Sequence, residues 1–205
     1  LSDEQKEAEQ ADQQTQDVLD YLHAENDYRK HVMKPTEKLQ KTIYDEIIGR
    51  IKQDDSSVPI TENGYTYYTR FEKGQDYPYY CREKAENKAR EEVMLDVPTM
   101  AEGYAYYAIG GRSVSENNKI LAYAVDTVSR REYTLYFKNL ETGEILSDKI
   151  ENTTGGITWA NDNQTLFYVK KDPQTLRAYQ IFKHLLGTDT SDDAVSYTHL
   201  RAHET

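Results

Sequence analysis

A chain of 205 residues is long enough for one domain, or for one domain with an appendage. Its 25 Lys and Arg residues against 36 Asp and Glu residues give a formal net charge of −11, and the sequence has no long basic run, so the composition excludes a nucleic-acid partner. No stretch of the sequence has the length and apolar content of a membrane span, so we expect no membrane partner either.

The chain has a single cysteine, Cys81, which rules out a disulfide within the chain. Tyrosine, with 18 copies, suits half-buried strands because its ring packs while its hydroxyl reaches water or a backbone group. The first residues, Leu1-Ser2-Asp3-Glu4, contain neither an initiator methionine nor an apolar signal core. We expect a cytoplasmic protein, or a periplasmic one if a signal peptide has been lost from its start.

Two helices are predicted at the start of the chain. Residues 1 to about 33 form the first, with Ser2 and Gln5 as a capping box and apolar residues at helical spacing in its second half. Pro35 interrupts the pattern, a second helix follows from about Thr36, and the polar segment 54–59 ends it. The apolar faces of the two helices are formed by Val18, Leu19, Leu22, Leu39, Ile43, Ile47 and Ile51.

From residue 60 onward the sequence changes to short runs of β-forming residues separated by turn residues, which is typical of antiparallel all-β structure. These runs alone leave a sandwich, a barrel and a propeller open. The predicted strands cover residues 65–70, 79–84, 92–96, 104–109, 120–126, 132–140, 157–159, 165–171 and 179–185.

An internal repeat decides among these folds. The segment 115–123 aligns with 160–168, an offset of 45 residues that places Tyr123 over Tyr168. The same offset places a second motif, Phe-Lys-x-Leu at 137–140, over its copy at 182–185, and a weaker copy of the pattern starts at Asn63.

A period near 45 residues with about four strands per repeat is the signature of propeller blades. About three such blades cannot close a ring, because each blade buries its faces only against its neighbours. The sequence therefore predicts a mainly β fold, in which an N-terminal helical arm is followed by about three blades of an incomplete β-propeller.

The segment 18–28, VLDYLHAENDY, resembles the V-x-x-Y-L-x-A-E-N-x-Y helix near the start of peptidases of the prolyl oligopeptidase family, and in particular of its oligopeptidase B (protease II) members. Further segments resemble the same family in the same order, and together they span roughly residues 17 to 190. These segments are 46–59, 77–82, 121–126, 131–135, 150–153, 159–160 and 166–169.

This resemblance implies a function. In the family, a seven-bladed propeller covers an α/β-hydrolase domain whose Ser-Asp-His triad cleaves short peptides, and oligopeptidase B cleaves after Arg or Lys. The resemblance therefore implies that this chain is the substrate-gating propeller region of a serine oligopeptidase. Its implied partners are short peptide substrates and the hydrolase domain, which the chain lacks, so we expect it to be inactive alone.

The family's nucleophile sits in a G-x-S-x-G turn between a strand and a helix. The segment 111–115, with sequence GRSVS, comes nearest to this motif, but its fifth residue is serine. We therefore predict no catalytic residue, no metal site and no cofactor-binding site or cofactor within these residues.

Both ends depart from the family. Residues 2–16 lack the Asp-Pro-aromatic-x-Trp-Leu stretch that usually precedes the first helix, and residues 195–205 look like translated sequencing-adapter DNA, which we expect to pack on nothing. The expected domains are a helical segment at 1–55, a partial propeller at 56–193 and a non-native tail at 194–205.

Several residues have a functional and a structural interpretation, and the structural one is favoured for each. His199 and His203 have the i, i+4 spacing of a metal site but no acidic or cysteine partner nearby. Cys81 fits a small buried residue in a strand. The remaining residues are His23, His31 and His184 as isolated histidines, Asp54 and Asp55 as a helix stop, Trp159 as a core anchor between blades, and Asn152 and Asn163 as chance glycosylation triplets.

Two other functions remain open. The chain could belong to a stand-alone propeller that serves as a binding scaffold without catalysis. An enzyme active within these residues is disfavoured, because the sequence shows no set of nucleophile, base and orienting group.

Overall fold

The computed structural model describes residues 12–87, 90–172 and 174–198. The chain divides into two units, Leu1–Lys52 and Gln53–Thr205. In these described ranges, no helix combines the length and the apolar character that crossing a membrane would require.

The first unit is helical. Helix α1 spans Gln13–Met33 and helix α2 spans Glu37–Arg50, and a 3₁₀ turn at Lys34–Thr36 joins them. The Asp12 carboxylate accepts a hydrogen bond from the Thr15 amide at 2.7 Å and so caps α1. The predicted interruption at Pro35 is confirmed, whereas the predicted capping box at Ser2 lies outside the described residues.

The apolar faces predicted for the two helices are exposed. Val18 and Leu22 on α1 are 54% and 49% exposed, and Ile43 and Ile47 on α2 are 47% and 55% exposed. None of the described residues of either helix is buried. The helical unit therefore presents apolar side chains to solvent.

The second unit opens with a four-stranded antiparallel sheet, which we call blade 1. Its strands are β1 (Ile60–Glu62), β2 (Tyr65–Arg70), β3 (Tyr79–Lys84) and β4 (Glu92–Asp96), paired in chain order. A single helical turn, α3 (Val97–Met100), follows it and is capped by the Asp96 side chain.

A seven-stranded antiparallel sheet follows, and its strands also pair in chain order. They are β5 (Ala108–Val114), β6 (Ile120–Asp126), β7 (Tyr133–Asn139), β8 (Ile145–Trp159), β9 (Thr165–Lys171), β10 (Ala178–Leu185) and β11 (Ala194–Thr198).

Strand β8 belongs to two blades. Its first part pairs with β7, its last part pairs with β9, and Thr153 pairs with both neighbours. Asn152 and Gly155 have φ of 59° and 84°, and these left-handed residues bend the strand. Strands β5–β7 with the first part of β8 form blade 2, and the last part of β8 with β9–β11 forms blade 3.

Two predicted strands are wrong in their bounds. The strand predicted at 104–109 lies at Ala108–Val114. This segment was not predicted as a strand because it contains Gly110 and Gly111, and glycine is a poor strand former. The strand predicted at 157–159 is only the end of β8, whose turn-like residues Asn152 and Gly155 suggested a loop. The strands predicted at 65–70, 79–84, 92–96, 120–126 and 165–171 are confirmed.

The repeat is confirmed at Tyr123 and Tyr168. Each lies in the second strand of its blade and stacks on the residue paired with it, Tyr136 or Phe182. The turns before these strands also match, because Asn118 and Asn163 both have φ near 60°.

The offset fails by one residue in the third strand. Tyr136 pairs with Tyr123 as Phe182 pairs with Tyr168, an offset of 46 rather than 45. The cause is a bulge at Tyr179, since Ala178 and Gln180 pair with consecutive residues of β9. The predicted equivalence of Phe137 and Phe182 is therefore wrong.

The expectation that residues from Val195 pack on nothing is also wrong for the described part of the tail. Ala194–Thr198 forms β11 and pairs antiparallel with β10. All five residues are exposed, so backbone pairing accounts for this strand, and an open sheet edge accepts almost any β-prone segment. Residues 199–205 lie outside the described residues.

Two apolar cores fill the second unit. One lies between blades 1 and 2, where Leu95 and Val97 pack with Leu121 and Tyr123. The other joins blades 2 and 3 through Phe137, Leu166, Tyr168 and other buried residues, with Trp159 packed against them.

Candidate functional site

The segment that comes nearest to a nucleophile turn has a structural role. Gly111–Val114 lies in β5, and Ser115 begins a turn to the next strand rather than to a helix. Ser115 is buried, and its hydroxyl donates to Asn117 Oδ1 at 2.8 Å and accepts from the Ile120 amide at 3.0 Å. The Ser115 hydroxyl is therefore occupied in shaping the turn. Ser113, which stands at the nucleophile position of the motif, lies within β5 and pairs with Ala122 of β6, so it is a strand residue and not part of a strand-to-helix turn.

The prediction that His184 is isolated is wrong. Its side chain is fully buried, with Nδ1 lying 2.7 Å from Asp193 Oδ1 and Nε2 lying 3.1 Å from Asp148 Oδ1. The Phe137 ring stacks on the imidazole with ring centroids 6.1 Å apart. The two carboxylates lie 36 residues before it and nine residues after it, so no local pattern in the sequence announced the cluster.

This cluster ties blade 3 to blade 2, because Asp148 lies in the part of β8 that pairs with β7. The Tyr168 hydroxyl donates to the other oxygen of Asp193 at 2.7 Å, and burial, with this carboxylate, raises the pKa of Tyr168 well above its ordinary value. The Gly187 amide donates to Asp148 at 2.6 Å. The cluster contains no hydroxyl or thiol placed against the imidazole as a nucleophile would be, so its role is to hold β8, β9 and β10 to the segment before β11.

In the described ranges, none of the other histidines lies in a buried cluster with carboxylates. His23 and His31 lie exposed on α1, as expected for solvent-facing residues. His199 and His203 lie outside the described residues, so their i, i+4 spacing stays without a structural account.

Cys81 is a buried residue of β3, as predicted. Burial, with the negative charge of Glu91 as a smaller cause, raises the pKa of the Cys81 thiol to about 12. The thiol therefore stays protonated at neutral pH and is a poor nucleophile.

The remaining candidate residues also have structural roles. The indole nitrogen of Trp159 donates to the Ser113 carbonyl at 3.0 Å, which joins blade 3 to blade 2 and confirms the predicted anchor. Asn163 Oδ1 accepts from the Asn117 amide at 2.7 Å, and so links the turns of these two blades. The Asp55 carbonyl accepts from the Phe71 amide at 2.8 Å beside β2.

A cleft of about 510 Å³ lies between blade 1 and blade 2, and we call it the seam cleft. Strand β1 and the segment before it form one side, and β5 with the turn after it forms the other. Both β1 and β5 are terminal strands of their sheets, so each turns a free backbone edge to its surroundings. The volume lies within the range of about 300–1,000 Å³ that is usual for ligand sites.

The seam cleft is lined by apolar and by polar or charged residues in about equal number. Tyr67, Tyr80 and Leu121 are among its apolar lining residues, and Val58 and Ile60 line it from the β1 side. Val58 is 83% exposed, so this side of the cleft is open to solvent.

Arg112 is the cationic group of the seam cleft. Its guanidinium lies over the Tyr80 ring, 3.8 Å from the ring centroid, which is cation–π geometry. No ion pair with Arg112 occurs within the described residues. Glu62 and Glu116 also line the cleft, and both residues are exposed.

A network of side chains fixes one rim of the seam cleft. Asn63 Nδ2 donates to the Glu116 carbonyl at 2.5 Å, and Asn118 Nδ2 donates back to the Asn63 carbonyl at 3.1 Å. The buried Arg82 pairs with Glu92 at 2.8 Å and donates to the Asn118 carbonyl at 2.9 Å. The turn of blade 2 is thereby held to blade 1, a role of Arg82 that no sequence pattern indicated.

The protein-family comparison agrees with the fold. The sequence profile of a family described as "Prolyl oligopeptidase, N-terminal beta-propeller domain" matches residues 11–203. Among solved structures, oligopeptidase B from Leishmania major superposes with a TM-score of 0.80 and 34% identity, over 89% of this chain and 26% of that one.

Curated relatives include a dipeptidyl aminopeptidase BI from Pseudoxanthomonas mexicana, which is 45% identical over 199 residues, and Protease 2 from Moraxella lacunata, which is 31% identical over 193 residues. The matches cover 90% and 91% of this chain respectively. The chain spans 28% of the length of each of these two relatives.

Proposed function

Because this chain belongs to the prolyl oligopeptidase family, through its N-terminal β-propeller domain, we propose that it is the substrate-gating region of a serine oligopeptidase. In this proposal the complete enzyme hydrolyses short peptides after Arg or Lys, and an α/β-hydrolase domain outside these residues carries its catalytic triad. The chain itself binds no cofactor and has no catalytic or metal-binding residue. Its compartment stays a prediction.

The observation that carries the proposal is the likeness to oligopeptidase B, at 34% identity and a TM-score of 0.80 over 89% of this chain. The close packing of the blades supports a gating role. A Cβ atom added at Gly111 of β5 would lie 2.0 Å from the Gly155 carbonyl oxygen of β8, so these two strands approach as closely as glycine allows. A propeller packed in this way would admit a peptide chain more readily than a folded protein.

A second candidate specificity comes from the curated relatives. The dipeptidyl aminopeptidase BI is 45% identical to this chain, against 31% for Protease 2. The complete protein would then release dipeptides from a free amino terminus instead of cleaving within a peptide after Arg or Lys. Both specificities use the same gating role for the propeller.

The test uses the complete protein expressed from the parent gene, with the 205-residue chain beside it. A fluorogenic peptide with a blocked amino terminus and Arg before the reporter should be hydrolysed if the first specificity holds. A free dipeptide on the same reporter should be the preferred substrate if the second one holds. A serine-labelling phosphonate should abolish either activity.

The 205-residue chain should give no turnover with either substrate. Turnover that co-purifies with this chain and is blocked by the phosphonate would overturn the proposal. A parent gene that ends without a hydrolase domain would instead favour a stand-alone binding scaffold.

A further inference from the structure

The seam cleft has the features of a peptide-binding site. We propose that it binds a free short peptide in extended form, with the terminal carboxylate of the peptide on Arg112 and its terminal ammonium near Glu62 or Glu116. The inference rests on the proposed function, because short peptides are then the molecules that pass the propeller. It adds a binding site within the propeller itself.

The backbone of the cleft favours an extended ligand. Strand β1 pairs with β2 over only three residues, and among the described strands its other edge has no partner. Strand β5 pairs with β6 and likewise ends its sheet. An extended peptide that enters between such edges gains main-chain hydrogen bonds that neither strand makes with another strand.

The side chains of the cleft favour a peptide with apolar residues. Tyr67 and Tyr80 offer ring faces and edges, and Val58 and Ile60 offer aliphatic contact from the β1 side. Ile60 is 66% exposed, so the residues that would contact the ligand are accessible without unfolding. Burying such apolar surface favours binding.

The charges of the cleft favour a peptide with both ends free. Arg112 is held over the Tyr80 ring and has no ion pair in the described part of the chain, so its guanidinium can pair with a carboxylate. Glu62 and Glu116 disfavour further acidic groups and attract an ammonium. Arg112 lies in β5 and Glu116 lies in the turn after it, so a cationic and an anionic group line the same side of the cleft.

The test measures binding by isothermal titration calorimetry to the 205-residue chain. The probe is the tetrapeptide Ala-Val-Leu-Ala with free termini, and the comparison probe is the same peptide with a carboxyl-terminal amide. We expect saturable binding of the free peptide and a loss of roughly fivefold in affinity on amidation, as for a solvent-accessible ion pair.

Variants of the cleft locate the site. Arg112→Gln should lower the affinity for the free peptide by the same factor, roughly fivefold, and leave the affinity for the amidated peptide unchanged. Arg130→Gln, at an exposed loop position outside the cleft lining, is the matched control and should change neither affinity. Val58→Trp changes a residue that is already exposed, so the fold should persist while the new ring fills the cleft and abolishes binding.

Equal binding of acid and amide, equal effects of Arg112→Gln and Arg130→Gln, or no saturable binding would each overturn the proposal. Equally tight binding of sodium acetate would also overturn it, because the site would then recognise a carboxylate and not a peptide. Hydrolysis plays no part in this measurement. A complete protein without peptidase activity would therefore contradict the proposed function and leave the binding result intact.

Discussion

His184 shows what a single residue does in this fold. Its imidazole lies between two carboxylates that are themselves almost fully buried, with side-chain exposures of 4% for Asp148 and 1% for Asp193. Each ring nitrogen lies within hydrogen-bond distance of one carboxylate oxygen, and a buried polar group without such a partner is costly. The imidazole therefore has a structural role between blades 2 and 3.

Replacing His184 should destabilise the protein strongly. In His184→Ala, Asp148 and Asp193 lose the ring nitrogens that lie against them, and we expect the free energy of unfolding to fall by about 3 kcal/mol. Urea denaturation followed by tyrosine fluorescence measures the change. His31→Ala, at an exposed position of α1, is the control and should stay within about 0.5 kcal/mol of the parent. Equal effects of the two substitutions would contradict the structural role.

The Cys81 thiol should be unreactive in the folded protein. Because Cys81 is buried and its pKa is about 12, we expect its thiol to react with a disulfide reagent at pH 8 much more slowly in the folded chain than in the chain unfolded by urea. A native rate equal to the unfolded rate would contradict this prediction.

The raised pKa of Cys81 also has a consequence for stability. The folded pKa lies above that of an unfolded thiol, so the unfolded state loses its proton first as the pH rises. The buried, protonated thiol therefore contributes to the free energy of unfolding. We expect this contribution to be complete below the ordinary thiol pKa and to be lost progressively between about pH 9 and 12. Cys81→Ala should show a smaller alkaline loss of stability than the parent in the same urea titration.

At the scale of residues, a role could be predicted when it follows from the residue's type and its strand, and not when it depends on partners far away along the chain. The burial of Cys81 and the anchor role of Trp159 could be predicted, because strand residues of these types are usually buried. His184 and Arg82 could not, because their partners come from other strands and turns. For the same reason, the seam cleft had no signal in the sequence: β1 and β5 lie in different sheets and are separated along the chain by three strands and a helical turn.

At the scale of elements, the contact between β5 and β8 leaves no room for a side chain at Gly111. A Cβ atom there would meet backbone, the Gly155 carbonyl oxygen, which cannot swing aside as a side chain can. Gly156 is a neighbouring strand position where a Cβ atom would meet only the Thr154 hydroxyl, at 3.5 Å.

Gly111→Ala should therefore push β5 and β8 apart and lower the free energy of unfolding by about 2 kcal/mol or more. Gly156→Ala is the matched control and should change stability by less than about 0.5 kcal/mol. Thermal melts of both variants measure the difference. Equal melting temperatures for the two variants would mean that the blades pack more loosely at Gly111.

The elements themselves were predictable where β-forming residues are continuous, as in β2, β6 and β9. They were missed where glycine or a left-handed asparagine interrupts a strand, as at Gly110 in β5 and Asn152 in β8. The repeat located the second strand of each blade, whereas the bulge at Tyr179 shifted the third strand by one residue, a change that leaves no mark in composition.

At the scale of the whole molecule, apolar surface and free strand edges coexist with a net charge of −11. The α2 residues Ile43 and Ile47 are about half exposed, and β1 and β11 end their sheets. Charge repulsion is screened beyond about 8 Å at physiological salt, whereas apolar contact is not. Apolar contact therefore outweighs charge repulsion, which favours association between copies of the chain.

We expect the 205-residue chain to self-associate, with a mass that rises with concentration in size-exclusion chromatography with light scattering. The double variant Ile43→Glu and Ile47→Glu should reduce the association. Gln40→Glu with Thr42→Glu adds the same charge at exposed polar positions of α2 and should reduce it less. A monodisperse parent chain with a cooperative melt would contradict the expectation and mark these residues as a self-sufficient domain.

The bend in β8 has a consequence for how such a protein could be rearranged by recombination. Blades 2 and 3 are joined within a strand, at Asn152 to Gly155, and not at a loop. A crossover that exchanged one 45-residue repeat for another at that point would fall inside a hydrogen-bonded strand and join two half-strands whose side chains pack against different neighbours. The connection between β4 and β5, which carries only the single turn α3, can be cut without breaking a strand. We therefore expect an exchange of blades to be tolerated better at the connection between β4 and β5 than within β8.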